Sequence, residues 1–370
     1  MPDEPQEPVS QEPVIEAIAA ITPALLQGLN ALEFAARHLN PAQLPQLVDA
    51  VSDRAPPLAA AVAQCKTIEW PEHLAAVRDR LAGAGDSVLE SLTGLVDAVD
   101  APQPIAVAYR ALRGYARAAE AIYPLAASLR PINLFFLDAA ARKDDVLVQS
   151  LGRLGDPEAN VGVMHSSETP GDRGGFSLYV PEYYSAEREW PLVVALHGGS
   201  GNGRAFLWSW LRDARSRGVI VLSPTAVGST WSLMDPEVDA ENIGRMVSFI
   251  GERWRIDPTR ILMTGMSDGG TYTYVGGVRA GAPFTHYAPV SASFHPMMLG
   301  MMDQDQLRAC PLYIVHGTHD WMFPPVMAQQ ARETFEAAGA RVTYREIADL
   351  SHTYPRDENP RILDWFVASP

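Results

Sequence analysis

The sequence has little positive charge, and almost none of that charge is lysine. Its 29 Lys and Arg residues are outnumbered by 44 Asp and Glu residues, for a formal net charge of −15, and Lys66 and Lys143 are its only lysines. Nucleic acids and anionic membrane surfaces are bound by clustered basic faces. The composition therefore argues against a nucleic-acid partner and against binding to an anionic membrane.

Cysteine and long apolar runs are also scarce. Cys65 and Cys310 show no CxxC or other metal-binding or redox spacing, so we expect buried thiols and no metal site. No stretch reaches the roughly 18 consecutive apolar residues of a membrane span. The N-terminal MPDEPQEPVSQEP is acidic and proline-rich, unlike a secretory signal, so we expect a cytoplasmic protein without a membrane span.

The sequence divides into regions that differ in composition and in the spacing of their apolar residues. We expect residues 1–12 to be a disordered tail, because they are polar and proline-rich. Residues 13–154 contain apolar residues at helical spacings, broken by proline-containing loops, which predicts an all-α helical bundle. For this region we keep three roles open: a lid over a cleft, a surface for homo-oligomerisation, or a structural brace.

Short β-rich runs alternate with helical patterns over residues 160–370. The strand candidates are FSLYVPEYY, PLVVALHGG, GVIVLSPT, RILMTGMS, HYAPVSASF, PLYIVHG and RVTYREI. Near-continuous apolar runs indicate strands that are covered on both faces, and the alternation indicates parallel βαβ units. The fold class is therefore α/β, with a mostly parallel, doubly wound sheet whose ligands bind beyond the carboxyl ends of the strands.

The stretch from Gly265 to Gly269 fits G-x-S-x-G directly after a predicted strand. In a nucleophile elbow of this kind, the serine occupies a strained turn and the small flanking residues let strand and helix approach closely. The pattern identifies Ser267 as the candidate nucleophile. The glycine cluster is explained by the room that the turn needs.

A serine nucleophile needs a histidine base and an acid that orients it. Asp320 follows the PLYIVHG strand, and His352 lies in the loop after RVTYREI, so acid and base follow the serine in the order expected of this fold. Asp349 is a rival acid that we expect to be a solvated turn residue. His319 is a rival base, but it would precede the acid.

The remaining acids and histidines fit less well. Asp303 and Asp305 lie in a polar stretch that we expect at the surface, and His165 and His286 lie outside the loops that follow the strands. His295 follows a strand, and we expect it to line the substrate pocket.

An acyl-transfer intermediate carries an oxyanion that two main-chain N–H groups can bind. One donor should be the residue after the nucleophile, Asp268, and the other should come from the glycine-rich loop HGGSGNG, where Gly199 is the candidate. The same loop lacks the GK[ST] of a nucleotide P-loop and the spacing of G-x-G-x-x-G.

The motifs LHGGSGNG, TGMSDGG, VHGTHDWMFP and LSHTYP, spread over about residues 174–370, together resemble α/β-hydrolase serine esterases. The resemblance is to the phospholipase/carboxylesterase type and to the related polyhydroxybutyrate-depolymerase-like and feruloyl-esterase-like groups. It implies carboxylic-ester hydrolysis with Ser267, Asp320 and His352 as a triad. It does not extend to the helical N-terminal region and does not define the substrate.

Several side chains are candidates for the substrate pocket because they lie in the loops around the predicted triad. They are His197, Trp231, Met266, His295, Met298, Trp321 and Phe323. For Met298 and the neighbouring methionines, helical core packing is the alternative interpretation, and for the aromatic residues it is simple packing.

The principal prediction is a serine carboxylesterase acting on esters of small to medium acyl or aryl groups, with no metal or organic cofactor. A thioesterase or peptidase would use the same triad. A catalytically silent hydrolase fold used for binding is a third hypothesis, which the complete set of catalytic motifs argues against.

Overall fold

The computed structural model describes residues 12–152, 160–308 and 310–368, and these residues form two compact units. The first unit takes in residues 12–36 and 41–136, and the second takes in residues 37–40 and the described residues from 137 onward. The expected disordered tail lies outside the described residues, except for Glu12, which begins the first helix.

Seven helices span the first unit's described residues, of which the first extends two residues into the second unit. They are α1 (Glu12–His38), α2 (Leu44–Ser52), α3 (Ala55–Thr67), α4 (Ala75–Val99), α5 (Pro104–Leu112), α6 (Gly114–Ile122) and α7 (Arg130–Phe135). Three short 3₁₀ turns accompany them at Pro41–Gln43, Glu72–Leu74 and Tyr123–Leu125.

The long helix α4 is the centre of the helical unit and packs against α2, α3, α5 and α6. Its apolar residues at helical spacing form a buried face that includes Leu81, Val88 and Leu92, whereas Val96 is 49% exposed. Close approach explains a glycine here, since a Cβ on Gly85 would lie 2.4 Å from a methyl carbon of Val62. The helical region expected from the sequence is present.

Helix α1 is both long and apolar. Among the residues that the structure describes, it alone is long and apolar enough to cross a membrane, with a mean hydropathy of 1.4 over its best 18-residue window. Within that window, 44% of the residues are buried, and the core helix of a globular protein meets the same criterion. The expected cytoplasmic location and the absence of a membrane span stay predictions.

In the second unit, the 3₁₀ turn Ala141–Lys143 and helix α8 (Asp145–Leu151) precede the first strand, whereas the sequence predicts both as part of the helical region. The described residues of this unit form eight strands: β1 (Gly162–His165), β2 (Phe176–Val180), β3 (Trp190–Leu196), β4 (Ile220–Pro224), β5 (Ile256–Met266), β6 (His286–Val290), β7 (Pro311–Gly317) and β8 (Arg341–Ile347).

Helices follow most of these strands. They are α9 (Gly203–Leu207), α10 (Leu211–Arg217), α11 (Glu237–Gly251), α12 (Asp268–Val275), α13 (Gln304–Leu307), α14 (Pro325–Ala337) and α15 (Asn359–Ala368). Two further 3₁₀ turns lie at Pro296–Met301 and Arg356–Glu358.

The strands form one sheet in the order β1-β2-β4-β3-β5-β6-β7-β8. The first two strands pair antiparallel, and β4, β3, β5, β6, β7 and β8 are parallel. Strands such as β3 are buried along almost their whole length because helices cover both faces, which is why they read as continuous apolar runs. The predicted α/β-hydrolase fold class is confirmed by this sheet.

The parallel register brings the carboxyl ends of the central strands to one edge. Leu196 at the end of β3 pairs with Gly265 in β5, and Met266 pairs with Val290 at the end of β6. Gly317 at the end of β7 pairs with Ile347 at the end of β8. The loops that follow these strands therefore converge at this edge.

Candidate active site

Ser267 occupies a sharp turn between β5 and α12. Its φ of 56° and ψ of −120° place a non-glycine residue at positive φ, which is a strained conformation for an L-amino acid. The Ser267 N–H donates to the main-chain oxygen of Val290 at 3.0 Å, which ties the turn to the end of β6. This is the backbone geometry of a nucleophile elbow.

The glycines around this turn are required by close backbone approach. A Cβ on Gly265 would lie 2.5 Å from the main-chain carbon of Gly269, and a Cβ on Gly269 would lie 2.5 Å from the main-chain oxygen of His197. Any side chain at these positions would force β3, β5 and α12 apart, since the opposing atoms belong to the backbone.

His352 lies between Ser267 and Asp320. Its Nε2 is 3.0 Å from the Ser267 Oγ, and its Nδ1 is 2.9 Å from the Asp320 Oδ2 and 3.1 Å from Oδ1. All three side chains are largely buried, and 8% of Ser267 is exposed. The three residues predicted as a triad are thus brought together in one hydrogen-bonded chain.

The Asp320 carboxylate is held by its own turn. Its Oδ1 accepts hydrogen bonds from the main-chain N–H groups of Met322 at 3.0 Å and of Phe323 at 2.8 Å. Burial alone would raise the pKa of Asp320, but the interaction with His352 and the Phe323 N–H outweigh it, so the pKa lies below its usual range. Asp320 is therefore ionised at neutral pH.

The glycine-rich loop after β3 lies against the elbow. A Cβ built on Gly198 would be 3.6 Å from the Ser267 Cβ, and one on Gly199 would be 2.8 Å from the Asp268 Oδ2. Among the described residues, neither the Gly199 nor the Asp268 N–H has a hydrogen-bond partner. One of these two free donors belongs to the residue after Ser267, and the other belongs to the loop that packs against its turn.

The Asp268 carboxylate takes no part in the chain of three residues. Its Oδ2 accepts a hydrogen bond from the Thr230 hydroxyl at 2.5 Å. Thr230 was not singled out from the sequence, because nothing in the sequence shows which loop covers the start of α12. The contact fixes the first residue of α12, whose N–H is one of the two free donors.

His197, the first residue of the glycine-rich loop, and Trp231 are both buried, with 2% and 3% of their surface exposed. The His197 Nδ1 donates to the Gly198 oxygen at 2.6 Å, its Nε2 accepts from the Ala226 N–H at 3.1 Å, and burial lowers its pKa to about 4. The Trp231 indole N–H donates to the His197 oxygen at 2.7 Å. Both side chains are buried and hydrogen-bonded to main-chain atoms of this loop or its neighbours, which corrects the expectation that they line the substrate pocket.

The other pocket candidates fall into two groups. Trp321 and Phe323 pack edge-on against His352, with ring centroids 6.1 Å and 5.2 Å from the imidazole. Met266 precedes the nucleophile and is half-buried, whereas Met298 packs against the core and the exposed His295 accepts the Met297 N–H at 3.2 Å. The structure gives contacts with the triad for the two aromatic residues.

The loop that carries His352 is clamped by Arg37, one of the four residues from 37 to 40 that belong to the second unit. The Arg37 guanidinium donates to Asp349 at 3.0 Å and to Asp357 at 2.9 Å, and its main-chain oxygen accepts the Thr353 hydroxyl at 3.2 Å. The rival acid Asp349 is thus engaged by Arg37 at the surface. Sequence spacing gives no signal for this clamp.

A buried polar network lies behind the same loop. The Tyr354 hydroxyl donates to the Asn359 Oδ1 at 2.8 Å, and the Asn359 amide donates to Asp213 at 3.2 Å. Arg217 lies 3.6 Å from the Asp213 carboxylate. Burial raises the pKa of Asp213 to about 6 despite these partners.

No protein-family model matches the sequence. The chain is 28% identical over 180 residues to the bifunctional acetylxylan esterase/xylanase XynS20E of Neocallimastix patriciarum, a match that covers 46% of this chain. The chain spans about a quarter of that relative's length, since the match covers 25% of it.

Two solved esterase structures are also similar to this chain. A thermostable esterase matches at 21% identity and a TM-score of 0.43, covering 58% of this chain and 61% of the esterase. A phospholipase/carboxylesterase from Dyadobacter fermentans matches at 17% identity and a TM-score of 0.41, covering 52% of this chain and 95% of that protein.

Proposed function

We propose that this protein is a serine carboxylesterase that hydrolyses carboxylic esters through an acyl-enzyme intermediate. The observation that carries the proposal is the chain from the Ser267 Oγ to the His352 Nε2 at 3.0 Å and from the His352 Nδ1 to Asp320 at 2.9 Å. A serine at positive φ within hydrogen-bond reach of a carboxylate-oriented histidine is the arrangement that activates a hydroxyl for acyl transfer.

In this mechanism His352 takes the proton of Ser267 through Nε2 as the Oγ attacks the ester carbonyl. Asp320 is ionised and its carboxylate accepts a hydrogen bond from the His352 Nδ1–H, so it holds the imidazole in the tautomer that leaves Nε2 free to accept. It also stabilises the imidazolium that forms. The proton then passes from Nε2 to the alcohol oxygen as the carbon–oxygen bond breaks.

The tetrahedral intermediate places negative charge on the former carbonyl oxygen. The main-chain N–H groups of Gly199 and Asp268 are assigned as its donors, because they lie beside Ser267 and have no other partner among the described residues. Water then attacks the acyl-enzyme as the His352 Nε2 takes its proton. That proton passes to the Ser267 Oγ as its bond to the acyl carbon breaks, which releases the carboxylic acid and restores the serine. These steps use only protein groups and water.

The proposed substrates are esters of small to medium acyl or aryl groups. Similarity to a protein named as an acetylxylan esterase supports acyl groups as small as acetyl. The motifs that resemble phospholipase/carboxylesterase enzymes support the same reaction class. Thioesters and amides are attacked by the same triad, so they belong in the test as comparison substrates.

The test compares the wild type with Ser267→Ala on p-nitrophenyl esters from acetate to palmitate, and adds a fluorophosphonate label read by intact mass. Ser128→Ala, at an exposed serine of the helical unit, is the matched control. We expect turnover and labelling in the wild type and in Ser128→Ala, and neither in Ser267→Ala. A wild type that neither labels nor turns over any ester, thioester or amide would contradict the proposal.

A further inference from the structure

A partly exposed aromatic side chain lies beside the histidine of the proposed triad. Trp321 is 44% exposed, and its ring centroid lies 6.1 Å from that of His352 at an interplanar angle of 71°. Indole carries a large apolar surface whose burial is favourable. Exposed apolar surface next to reactive groups is typical of a place where a ligand binds.

The turn that carries Trp321 is held rigidly. The Asp320 carboxylate, just before Trp321, accepts hydrogen bonds from the N–H groups of Met322 and Phe323. The Phe323 oxygen, just after it, accepts a hydrogen bond from the His316 Nε2 at 2.8 Å. The Phe323 ring packs edge-on against His352 from the same turn. A side chain presented by a fixed turn loses little entropy when a ligand covers it, which favours binding.

The chemistry of ester cleavage decides which half of the substrate lies near Trp321. The carbonyl oxygen must point toward the Gly199 and Asp268 N–H groups, and the alcohol oxygen must point toward the His352 Nε2, which protonates it as it leaves. A group packed against the His352 ring therefore lies on the alcohol side of the scissile bond.

We propose that Trp321 is a specificity-determining residue that binds the alcohol part of the ester and selects alcohols that carry a ring with an apolar face. An aromatic ring and the C–H face of a sugar ring both present such a face to indole. The inference rests on the proposed esterase function. It assigns the alcohol half of the substrate as the part that Trp321 recognises.

The experiment measures kcat/KM by pH-stat for acetates of primary alcohols with similar leaving-group basicity: ethyl, benzyl and naphthylmethyl acetate. A methyl glycoside acetylated at its primary hydroxyl is the substrate with a sugar as its alcohol. The variants are Trp321→Ala and Trp321→Phe, with Phe249→Ala as a control, because Phe249 is an aromatic residue of α11 that is 39% exposed.

We expect Trp321→Ala to lower kcat/KM for the ring-bearing acetates by about fivefold relative to ethyl acetate, mainly through KM. Trp321→Phe should keep most of the preference, and Phe249→Ala should keep all of it. Loss with benzyl but not with the glycoside identifies an aromatic alcohol, the reverse identifies a sugar, and either supports the proposal.

A second series fixes the alcohol as benzyl and lengthens the acyl chain from acetyl to hexanoyl. Trp321→Ala should lower every member by the same factor, because the acyl chain lies on the other side of the bond. A loss that grows with acyl length, or an equal loss for ethyl and benzyl acetate, would overturn the assignment while the esterase function stands. If the wild type showed no Ser267-dependent turnover of any ester, of either series or of the p-nitrophenyl set, the proposed esterase function would fail and this proposal with it.

Discussion

The His316 Nε2 donates a hydrogen bond to the main-chain oxygen of Phe323 at 2.8 Å and lies 3.5 Å from the Asp320 carboxylate. His316 is fully buried at the end of β7, and burial lowers its pKa, so it is neutral at neutral pH. The bond fixes the turn whose N–H groups orient Asp320. His316 is therefore a positioning residue for the proposed triad.

Replacing His316 should consequently affect kcat more than KM. We expect His316→Leu to lower kcat about tenfold and to destabilise the fold by about 1 to 3 kcal/mol, because the partly buried Phe323 oxygen loses its donor. His316→Gln carries an amide N–H that can reach the same oxygen, and it should recover most of the activity. Steady-state kinetics and urea unfolding measure both effects, and equal activity in the two variants would contradict the positioning role.

The glycines of the elbow should be intolerant of even one methyl group. Gly269→Ala places a Cβ within 2.5 Å of the His197 oxygen, so we expect a loss of about 3 kcal/mol or more, or failure to fold. Gly244→Ala is the matched control, since a Cβ at this position of α11 has no atom within 4 Å.

The control variant should gain about 0.5 to 1 kcal/mol from its higher helix propensity. Urea unfolding followed by tryptophan fluorescence gives both values. If Gly269→Ala were as stable as the wild type, the close packing of β3 against α12 would not be a constraint on the sequence.

Asp213 should make the folded state less stable as pH rises. Its pKa is about 6 in the folded protein and near 4 when unfolded, so the folded state binds the proton more tightly. The contribution of Asp213 to stability is therefore greatest below about pH 4 and is lost as pH rises through about 6. Arg217 and the Asn359 amide offset only part of the burial.

Asp213→Asn keeps an oxygen for the Asn359 amide and cannot ionise. We expect the variant to gain about 2 to 3 kcal/mol relative to the wild type between pH 4 and pH 7, at about 1.4 kcal/mol per unit of pKa shift. Urea unfolding at several pH values measures the difference. A difference that does not vary with pH would show that Asp213 is not the titrating group.

The Arg37 clamp should matter for activity as well as stability. The Arg37 side chain is 14% exposed and bridges two carboxylates that flank His352 in sequence, so its loss leaves the His352 loop held by fewer contacts. We expect Arg37→Ala to cost about 1 to 2 kcal/mol and to lower kcat severalfold. Raising the salt concentration should weaken the wild type more than the variant.

Arg308→Ala is the control for that experiment, because the Arg308–Asp305 pair is 75% and 88% exposed and should contribute little. Thermal unfolding and kcat for a p-nitrophenyl ester are the measurements. Equal effects of the two substitutions would show that the ion pairs of Arg37 contribute no more than an exposed surface pair.

The sequence predicted most of the fold because buried parallel strands leave a strong local pattern. The run PLVVAL is apolar over its whole length and PLYIVHG is apolar over most of it, and they form β3 and β7. By contrast, β1 is four residues long and mostly half-buried at the edge of the sheet, so it has no comparable pattern. The short helices α9 and α10 were not predicted for the same reason.

The site could be predicted where chemistry fixes the residue type and the chain order, as it does for Ser267, Asp320 and His352. The burial of a side chain could not be predicted. A histidine after a strand gives the same sequence pattern whether it faces a cleft or is buried and hydrogen-bonded to a loop, as His197 is. His316 had one available signal, its position four residues before Asp320 at the same strand end. Arg37 and Asp213 had none, because their partners are distant in sequence.

The order of the strands also determines when the site can come into existence during folding. His352 and Ser267 are 85 positions apart in the chain, and they meet only when β5, β6, β7 and β8 are paired in register. Pairing of this kind closes long loops and forms slowly. The rate at which refolding protein becomes reactive toward a fluorophosphonate would therefore report the completion of the sheet, later than any signal from helix formation alone.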